Sequence, residues 1–364
     1  MKRIFSIIFI IVLPLISFGQ YGRSAKRAAL KTRNRQISRF TVRTDFSKSK
    51  RYICFGGGIG ISNYFGDLSP RSTRISSDLS YTRNNFSFYY LQRIHPNVNI
   101  RTSVGWMQLR GDDYSVASIS NPTTSDIGRF KRNLSFRNNI FELSSVGIFE
   151  LLPTDRGYLR RNFVNPYGII GLSLFRHNPQ TKTPIISKKS SEWVDLQPLG
   201  TEGQFTGISG TPQPYSLYQI GVPLGGGIRY RMMDKWDLSI EFCYRFVFTD
   251  YLDDVSGRYP NEETYDEMLN QGNFEGITLS NRSAETFASI ENVKRTDILR
   301  KWNDNSLVNR SEIYLTNGDQ KWYRIIGNES GASPRGSKKR DYWIVSAINF
   351  SYIMEIKQNP PKFR

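Results

Sequence analysis

One stretch of the chain constrains the fold more than any other. From Trp236 to Phe248, every second side chain is apolar over thirteen residues. One face carries Trp236, Leu238, Ile240, Phe242, Tyr244, Phe246 and Phe248, and the other carries Asp237, Ser239, Glu241, Cys243, Arg245 and Val247. This period of two is that of a β-strand. Strands of water-soluble proteins usually have about five or six residues, whereas a tilted strand that crosses a bilayer needs about nine to eleven. The alternation therefore predicts a membrane-crossing strand.

Seven further segments have the same character, and they run over 53–65, 86–94, 98–106, 133–151, 163–175, 218–232 and 342–354. The segment 133–151 changes parity along its length, which predicts a β-bulge near Asn138. Together the eight segments predict an all-β fold. We expect an eight-stranded antiparallel transmembrane β-barrel of OmpA/OmpX-like size, spanning residues 52–356.

The connections between these strands alternate in length. Long loops over 66–83, 111–131, 177–216 and 251–340 alternate with short turns over 95–97, 153–161 and 233–235. Short periplasmic turns and long extracellular loops are typical of outer-membrane barrels. The pattern therefore predicts that both termini are periplasmic. A water-soluble β-sandwich is the alternative, but it does not account for the one-sided loop lengths.

The fourth loop is about ninety residues long. A connection of that length is rarely passive. Short helices are predicted over 262–270 and 283–304, so this large extracellular insertion is expected to form a folded cap or a binding surface.

The N-terminus has the features of an export signal. Lys2 and Arg3 precede an apolar stretch, and Ser17 and Gly19 place small residues where a signal peptidase cleaves. We expect residues 1–19 to be a signal peptide, with a retained anchor as the alternative. No later run of about 18 apolar residues occurs, which excludes helical membrane spans but not a closed barrel.

A basic segment over 20–51 follows the signal peptide. Between residues 23 and 51 it holds eleven Lys or Arg and a single acid, Asp45. It is expected to lie in the periplasm, either as a solvated tail or docked on an acidic protein surface or on lipid phosphates. Export argues against nucleic acid as its partner. The candidate partner-binding residues are Lys26, Arg27, Lys31, Arg33, Arg35, Arg39 and Arg43.

Charged side chains fall on the inward faces of the predicted strands. Eight strands leave an interior only wide enough for side chains, and a buried charge needs a partner. We therefore expect salt-bridge networks that close the lumen, with a selective anion path as the alternative. The predicted network comprises Arg93, Arg101, Arg229, Arg231, Arg245, Glu241 and Glu355, and Arg137 is also expected to face inward. Trp106, Trp236, Tyr342 and Tyr352 are expected at the lipid interface.

The sequence offers little for catalysis or cofactors. The glycine run over 55–60 lacks the further glycine and the following helix of a nucleotide loop. The two histidines, His95 and His177, belong to no recognisable motif of a nucleophile and its base, so we assign no catalytic, cofactor-binding or metal residues. Cys54 and Cys243 lie on strands that are not neighbours, which predicts free thiols. Acids recur at the outer strand ends, where they could gather Ca²⁺, pair with loop arginines or remain solvated: Asp67, Asp112, Asp113, Asp250, Asp253 and Asp254.

Four stretches of sequence carry a resemblance to a known family. They are residues 55–60 with 63–68, 105–106 with 109–113, 132–138, and 248–255. Together they resemble the PorG-type outer-membrane barrels of the type IX secretion system. The resemblance covers residues 52–356, with 357–364 as a periplasmic tail. It implies a non-catalytic component of the secretion and gliding apparatus, one that ties the outer membrane to a periplasmic ring made of a lipoprotein and its partner protein. The alternatives are a small barrel whose extracellular loops bind ligand or lipopolysaccharide, and a narrow pore.

Overall fold

Long alternating segments become long strands in the structure. A computed structural model of the chain describes residues 51–69, 81–117, 122–153, 157–184, 192–283, 285–289, 293–295, 297–298, 311–317, 320–326 and 334–355. The strands are β1 (Tyr52–Phe65), β2 (Arg83–Arg93), β3 (Val98–Asp112), β4 (Ser135–Glu150), β5 (Val164–Arg176), β6 (Pro179–Lys182), β7 (Trp193–Asp195), β8 (Tyr218–Arg231), β9 (Trp236–Val247), β10 (Ser311–Asn317), β11 (Gln320–Ile326) and β12 (Tyr342–Glu355). The helices are α1 (Asp113–Val116), α2 (Thr124–Arg132), α3 (Glu262–Asn270) and α4 (Phe274–Ser280).

Eight of these strands close into a barrel. Their order is β1-β2-β3-β4-β5-β8-β9-β12, and each pair of neighbours is antiparallel. The ring closes where β12 pairs with β1, from Tyr52 opposite Glu355 to Phe65 opposite Tyr342. Closure gives backbone donors and acceptors partners inside the sheet, which is the condition for a β-structure to cross lipid. The predicted eight-stranded antiparallel barrel is confirmed.

The outer face of the barrel is an exposed apolar surface. Phe88 on β2, Leu172 on β5 and Phe242 on β9 are 71%, 63% and 62% exposed. Tyr89, Ser173 and Cys243, which follow them along each strand, point inward and are buried, as the period of two requires. In the part of the chain that the structure describes, no helix is both long enough and apolar enough to span a bilayer.

The two ends of the barrel differ. We call the end with the short connections, such as 94–97 and 232–235, the turn end, and the opposite end the loop end. The loop end carries α1 to α4 and the β6–β7 hairpin, which pairs with the extended end of β4. The sequence did not predict this hairpin, because its strands are too short to show a period.

The predicted bulge near Asn138 is wrong. The β3–β4 register runs without a break from Val98 opposite Phe149 to Asp112 opposite Ser135. Phe136 therefore faces inward and is fully buried, since the lumen at the loop end is apolar. As a consequence Arg137 faces outward, and its predicted inward position is also wrong.

The fourth loop matches the sequence only in part. The helix predicted over 262–270 is confirmed as α3. The helix predicted over 283–304 is wrong for the described residues 285–289 and 293–295, where Phe287 and Lys294 form an isolated antiparallel bridge.

Candidate functional site: the filled lumen and its cap

Paired charges cross the middle of the lumen. Arg101 on β3 forms a 2.5 Å salt bridge with Glu241 on β9, and the hydroxyl of Tyr167 donates to the same carboxylate at 2.6 Å. Arg245 on β9 pairs with Glu142 on β4 at 2.9 Å. All four charged side chains are largely buried. Each pair joins strands that are not neighbours, so the pairs connect the walls of the barrel across its interior.

A second set of charges closes the turn end. Arg229 pairs with Glu150 at 2.5 Å, and Arg161 pairs with Asp237 at 2.7 Å. Arg161 also donates to the carbonyl of Asp234 in the β8–β9 turn, which links two of the short connections. The sequence did not single out Arg161, because it lies in a turn outside any alternating segment.

Three predicted network residues lie at the margin of this layer. Arg93 is buried, donates to the carbonyl of Pro96 at 3.4 Å and lies 5.3 Å from the ring of Tyr52. Arg231 pairs with Asp234 at the exposed rim, at 2.8 Å. The side chain of Glu355 lies outside the described residues.

The space between the central ion pairs is small. A cavity of about 40 Å³ lies among Arg101, Glu142, Glu241 and Arg245. That volume accommodates one or a few waters. Toward the loop end the lumen is filled by apolar side chains, with the Trp343 indole donating to the sulfur of Met107 at 3.0 Å. Along the barrel axis, a charged layer that encloses a small cavity is therefore followed by an apolar layer toward the loop end.

A second buried charge cluster lies in the cap at the loop end. Arg335 forms salt bridges with Glu202 at 3.0 Å and with Asp254 at 3.5 Å. Thr201 and Tyr215 donate hydroxyl hydrogen bonds to the Asp254 carboxylate. Burial raises the pKa of Asp254 to about 6, although the nearby Arg335 opposes the shift. The cluster joins the third and fourth loops.

The four stretches that carry the family resemblance meet where the cap joins the barrel. Arg132 pairs with Asp113 at 2.7 Å and donates to the carbonyl of Asp67 at 3.0 Å. The Asn138 amide donates to the carbonyl of Leu252 at 2.7 Å. The backbone N–H of Leu68 donates to Asp253 at 3.3 Å. These positions fasten the loops to the strand ends, which gives the stretches a structural role.

The acids at the outer strand ends are distributed among separate partners. Asp113 pairs with Arg132, Asp254 pairs with Arg335, and Asp67 accepts hydrogen bonds from Ser337. Among the residues that the structure describes, no three His, Cys, Asp or Glu side chains converge as a metal site would require. Asp113 and Asp254 therefore pair with loop arginines, which is one of the three alternatives expected for these acids.

One carboxyl pair is unusual. Asp253 and Asp341 both approach the hydroxyl of Tyr64, at 2.7 and 2.8 Å. A hydroxyl has one proton to donate, so this arrangement favours the protonated form of one of the two carboxyls. Burial, reinforced by nearby carboxylates, raises the pKa of both Asp253 and Asp341 well above the usual range.

The four predicted interface aromatics lie on the outer face at two levels. Toward the loop end, Trp106 stacks on Phe86 at 5.9 Å, and Tyr342 stacks on Phe65 at 5.1 Å. At the turn end, Trp236 and Tyr352 contact each other at 5.0 Å. Exposed apolar side chains such as Ile240, Ile348 and Phe350 lie between these two levels.

Each histidine contacts backbone groups of its own loop or turn. His177 is buried, its Nε2 lies 3.1 Å from the carbonyl oxygen of Ser216, and its ring stacks on Tyr215. Burial lowers the pKa of His177 to about 4, so the ring is neutral at pH 7. His95 accepts a hydrogen bond from the backbone N–H of Asn97 within its turn.

Two further predictions concern the cysteines and the N-terminal segment. Cys54 and Cys243 are buried free thiols on the inner face, as predicted from their strands. The predicted signal peptide and the basic residues from Lys26 to Arg43 lie outside the described residues.

Comparisons with known proteins add little to these observations. No family model and no curated protein matches the chain. Among solved structures, it is similar to Neisserial surface protein A, with 13% identity and a TM-score of 0.27 over 55% of this chain and 85% of the other. It is also similar to Ail of Yersinia pestis, with 6% identity and a TM-score of 0.29 over 84% and 97%. A major outer membrane protein of Thermus thermophilus matches with 9% identity and a TM-score of 0.35 over 84% and 99%. At such identities and scores the likeness carries no argument about function, and the strand pairing itself defines the fold.

Proposed function

We propose that this protein is a non-catalytic outer-membrane β-barrel that anchors a periplasmic ring of the type IX secretion and gliding machinery. The observation that carries the proposal is the filled lumen, closed by ion pairs such as Arg101–Glu241 and covered by a cap built around Arg335. A filled lumen favours this role over that of a narrow pore. The protein then binds its partners through its outer surfaces and not through its lumen.

The membrane placement rests on the outer face. An exposed apolar band between two levels of aromatic side chains is the surface that a transmembrane barrel presents to lipid. In outer-membrane barrels the short turns are periplasmic and the long loops extracellular. In the proposed orientation, the turn end, where β1 begins and β12 ends, lies in the periplasm.

The anchoring role rests on the family resemblance and on charge. The resemblance implies a ring lipoprotein and its partner protein as the binding partners. The basic residues from Lys26 to Arg43 form a periplasmic patch in this placement, and such a patch attracts an acidic protein surface. Because the segment is exported in this placement, nucleic acid is not expected to be its partner.

An affinity pull-down from detergent-solubilised envelopes tests the proposal. The full chain is expected to recover two periplasmic ring proteins at near-stoichiometric yield. The variant K26Q/R27Q/K31Q is expected to lower that yield at least several-fold, since it removes three charges from the patch. The matched variant K338Q/K339Q/R340Q removes three charges from the loop end and is expected to leave the yield unchanged.

Two results would contradict this role. Recovery of the barrel alone would remove the anchoring function. Equal losses for both variants would show that the interaction depends on total charge and not on the basic segment.

A further inference from the structure

Three cross-strand pairs follow one another on the outer face at the loop ends of β3 and β4. We call the three pairs the ladder and each pair a rung. The first pair is Trp106 opposite Phe141, an aromatic rung. The second is Gln108 opposite Asn139, joined by an amide hydrogen bond of 3.0 Å. The third is Arg110 opposite Arg137. A strand rises about 3.3 Å per residue, so the arginine rung lies roughly 13 Å beyond the aromatic rung.

Two arginines directly opposite each other are unfavourable by themselves, because like charges in a cross-strand pair repel. The buried Nε–H of Arg110 has no acceptor among the described residues. The neighbouring Asp112 carboxylate is fully buried and accepts from the backbone N–H of Tyr114 and the hydroxyl of Ser115 at the start of α1. Asp112 interacts electrostatically with Arg110 and Asp195 with Arg137, so each cation of the rung has one nearby carboxylate, and both carboxylates also accept hydrogen bonds from other groups.

Arg137 is held in place for an external partner. Its Nε–H donates to Gln180 at 2.9 Å, and its guanidinium lies 3.8 Å from the ring centre of Trp193. The ammonium nitrogen of Lys182 lies 5.6 Å from the centre of the same ring. Asp195 is the acid beside this group, and it accepts from the Gln180 amide at 2.5 Å. The terminal nitrogens of Arg137 donate to none of the described residues, so they remain available.

Other cations lie at the loop-end rim. Arg176 ends β5 on the outer face and is exposed, opposite Phe141. Lys338, Lys339 and Arg340 are exposed before β12 begins, and Arg340 lies 5.6 Å from the ring of Phe248. The surface thus changes from apolar to aromatic to cationic toward the loop end.

We propose that the Arg110–Arg137 rung binds a phosphate group on the headgroup of an outer-leaflet glycolipid. Guanidinium groups bind phosphate through paired, charge-assisted hydrogen bonds. The rung faces outward on the loop-end side of the aromatic level, which is the side where the headgroups of the surrounding lipid lie. This inference rests on the membrane placement in the proposed function, but not on the ring partner. The acyl chains of the same lipid would cover the apolar rows below.

Binding of a defined lipid tests this site. The full chain in detergent micelles is titrated with bisphosphorylated lipid A and with the same lipid after phosphate removal. The variant R110Q/R137Q is expected to bind bisphosphorylated lipid A about tenfold more weakly, because two charge-assisted contacts are lost. The matched variant R160Q/R258Q removes two exposed arginines away from the ladder and is expected to bind like the wild type.

Several results would contradict different parts of this inference. Equal binding of the two lipids by the wild type, or equal binding by the two variants, would overturn the site. Full displacement of lipid A by millimolar inorganic phosphate would also overturn it, because the rung would then be a general anion site. A chain that stays soluble without detergent would instead contradict the membrane placement.

Discussion

At the scale of single residues, the joint between barrel and cap holds more acid than base. Asp253 and Asp341 share the Tyr64 hydroxyl. The charges of Asp67 and Asp250 raise their pKa values further, while Arg132 lowers that of Asp253. Burial raises the pKa of Asp250 to about 7. The joint therefore binds protons in the folded state that the unfolded chain would release.

This arrangement predicts a cap that is more stable in acid. A carboxyl whose pKa is higher folded than unfolded binds more protons in the folded state, so stability falls as pH rises between the two values. We expect cleavage of the loops by a protease, normalised to the unfolded chain at each pH, to be slower at pH 5 than at pH 8. The ratio is expected to reach about tenfold for each pH unit between 5 and the folded pKa of the carboxyl, up to the limit set by pH 8.

Asp341→Asn is the informative variant. The amide retains an acceptor for the Leu252 N–H, which donates to Asp341 at 3.0 Å, and supplies a donor toward Tyr64 without a titrating proton. It is expected to flatten the pH profile and to slow cleavage at pH 8. Glu263→Gln, on the exposed start of α3, should keep the wild-type profile. A flat wild-type profile would mean that the two carboxyls do not hold an extra proton.

At the scale of elements, the close approach of β8 and β9 depends on Gly225. A Cβ at this position would overlap the carbonyl oxygen of Phe242 and lie 2.7 Å from the Cα of Cys243. The clash is with backbone, which cannot rotate away. Gly225→Ala is expected to cost about 1–3 kcal/mol of unfolding free energy. The midpoint of urea unfolding, followed by the gel mobility of the unheated barrel, measures the loss.

A second glycine in the barrel wall provides the control. At Gly168, on the outer face of β5, an added Cβ would meet no atom within 4 Å. Gly168→Ala is expected to leave the midpoint unchanged or to raise it slightly, because alanine restricts the unfolded chain. Equal losses for the two variants would mean that general strand rigidity, and not the approach of β8 to β9, controls stability.

The elements also show what a sequence can predict about a barrel. Seven strands follow the period of two because their outward side chains form the exposed apolar face of the barrel. The pattern failed in β4, where Phe136 is apolar yet faces inward. Alternation reports a difference between two faces, and that difference vanishes where the lumen itself is apolar. The β6–β7 hairpin was missed because it faces neither lipid nor a long lumen.

The pairing of charges could not be predicted from local sequence. Alternation places Arg101 and Glu241 on inward faces, but the two residues are 140 positions apart. Their contact depends on the closure of β12 on β1 and on the register of every strand between them. The pattern over 141–151 correctly implies that Glu142 and Glu150 face inward, but the sequence analysis did not include these two acids in the predicted network.

At the scale of the whole molecule, the filled lumen is the property on which the function depends. The reactivity of two native cysteine side chains shows directly whether the lumen is filled. Cys54 and Cys243 are free thiols on the inner wall, 3% and 4% exposed. Cys243 lines the small central cavity. A barrel with an open path would bring water and dissolved reagents to these sulfur atoms, whereas a filled one would not.

We expect neither thiol to react with a charged, membrane-impermeant methanethiosulfonate reagent while the barrel is folded. Both should react once the barrel is unfolded by heat and detergent. Lys338→Cys, at an exposed position near the loop-end rim, should react at once in the folded protein and shows that the reagent is active. Planar bilayers that contain the folded protein should show no stepwise conductance.

Rapid labelling of Cys243 in a barrel that still migrates as folded, together with conductance that the label blocks, would mean that the ion pairs line a path. The loops would then be a gate and not a cap, and the alternative of a narrow pore would replace the anchor.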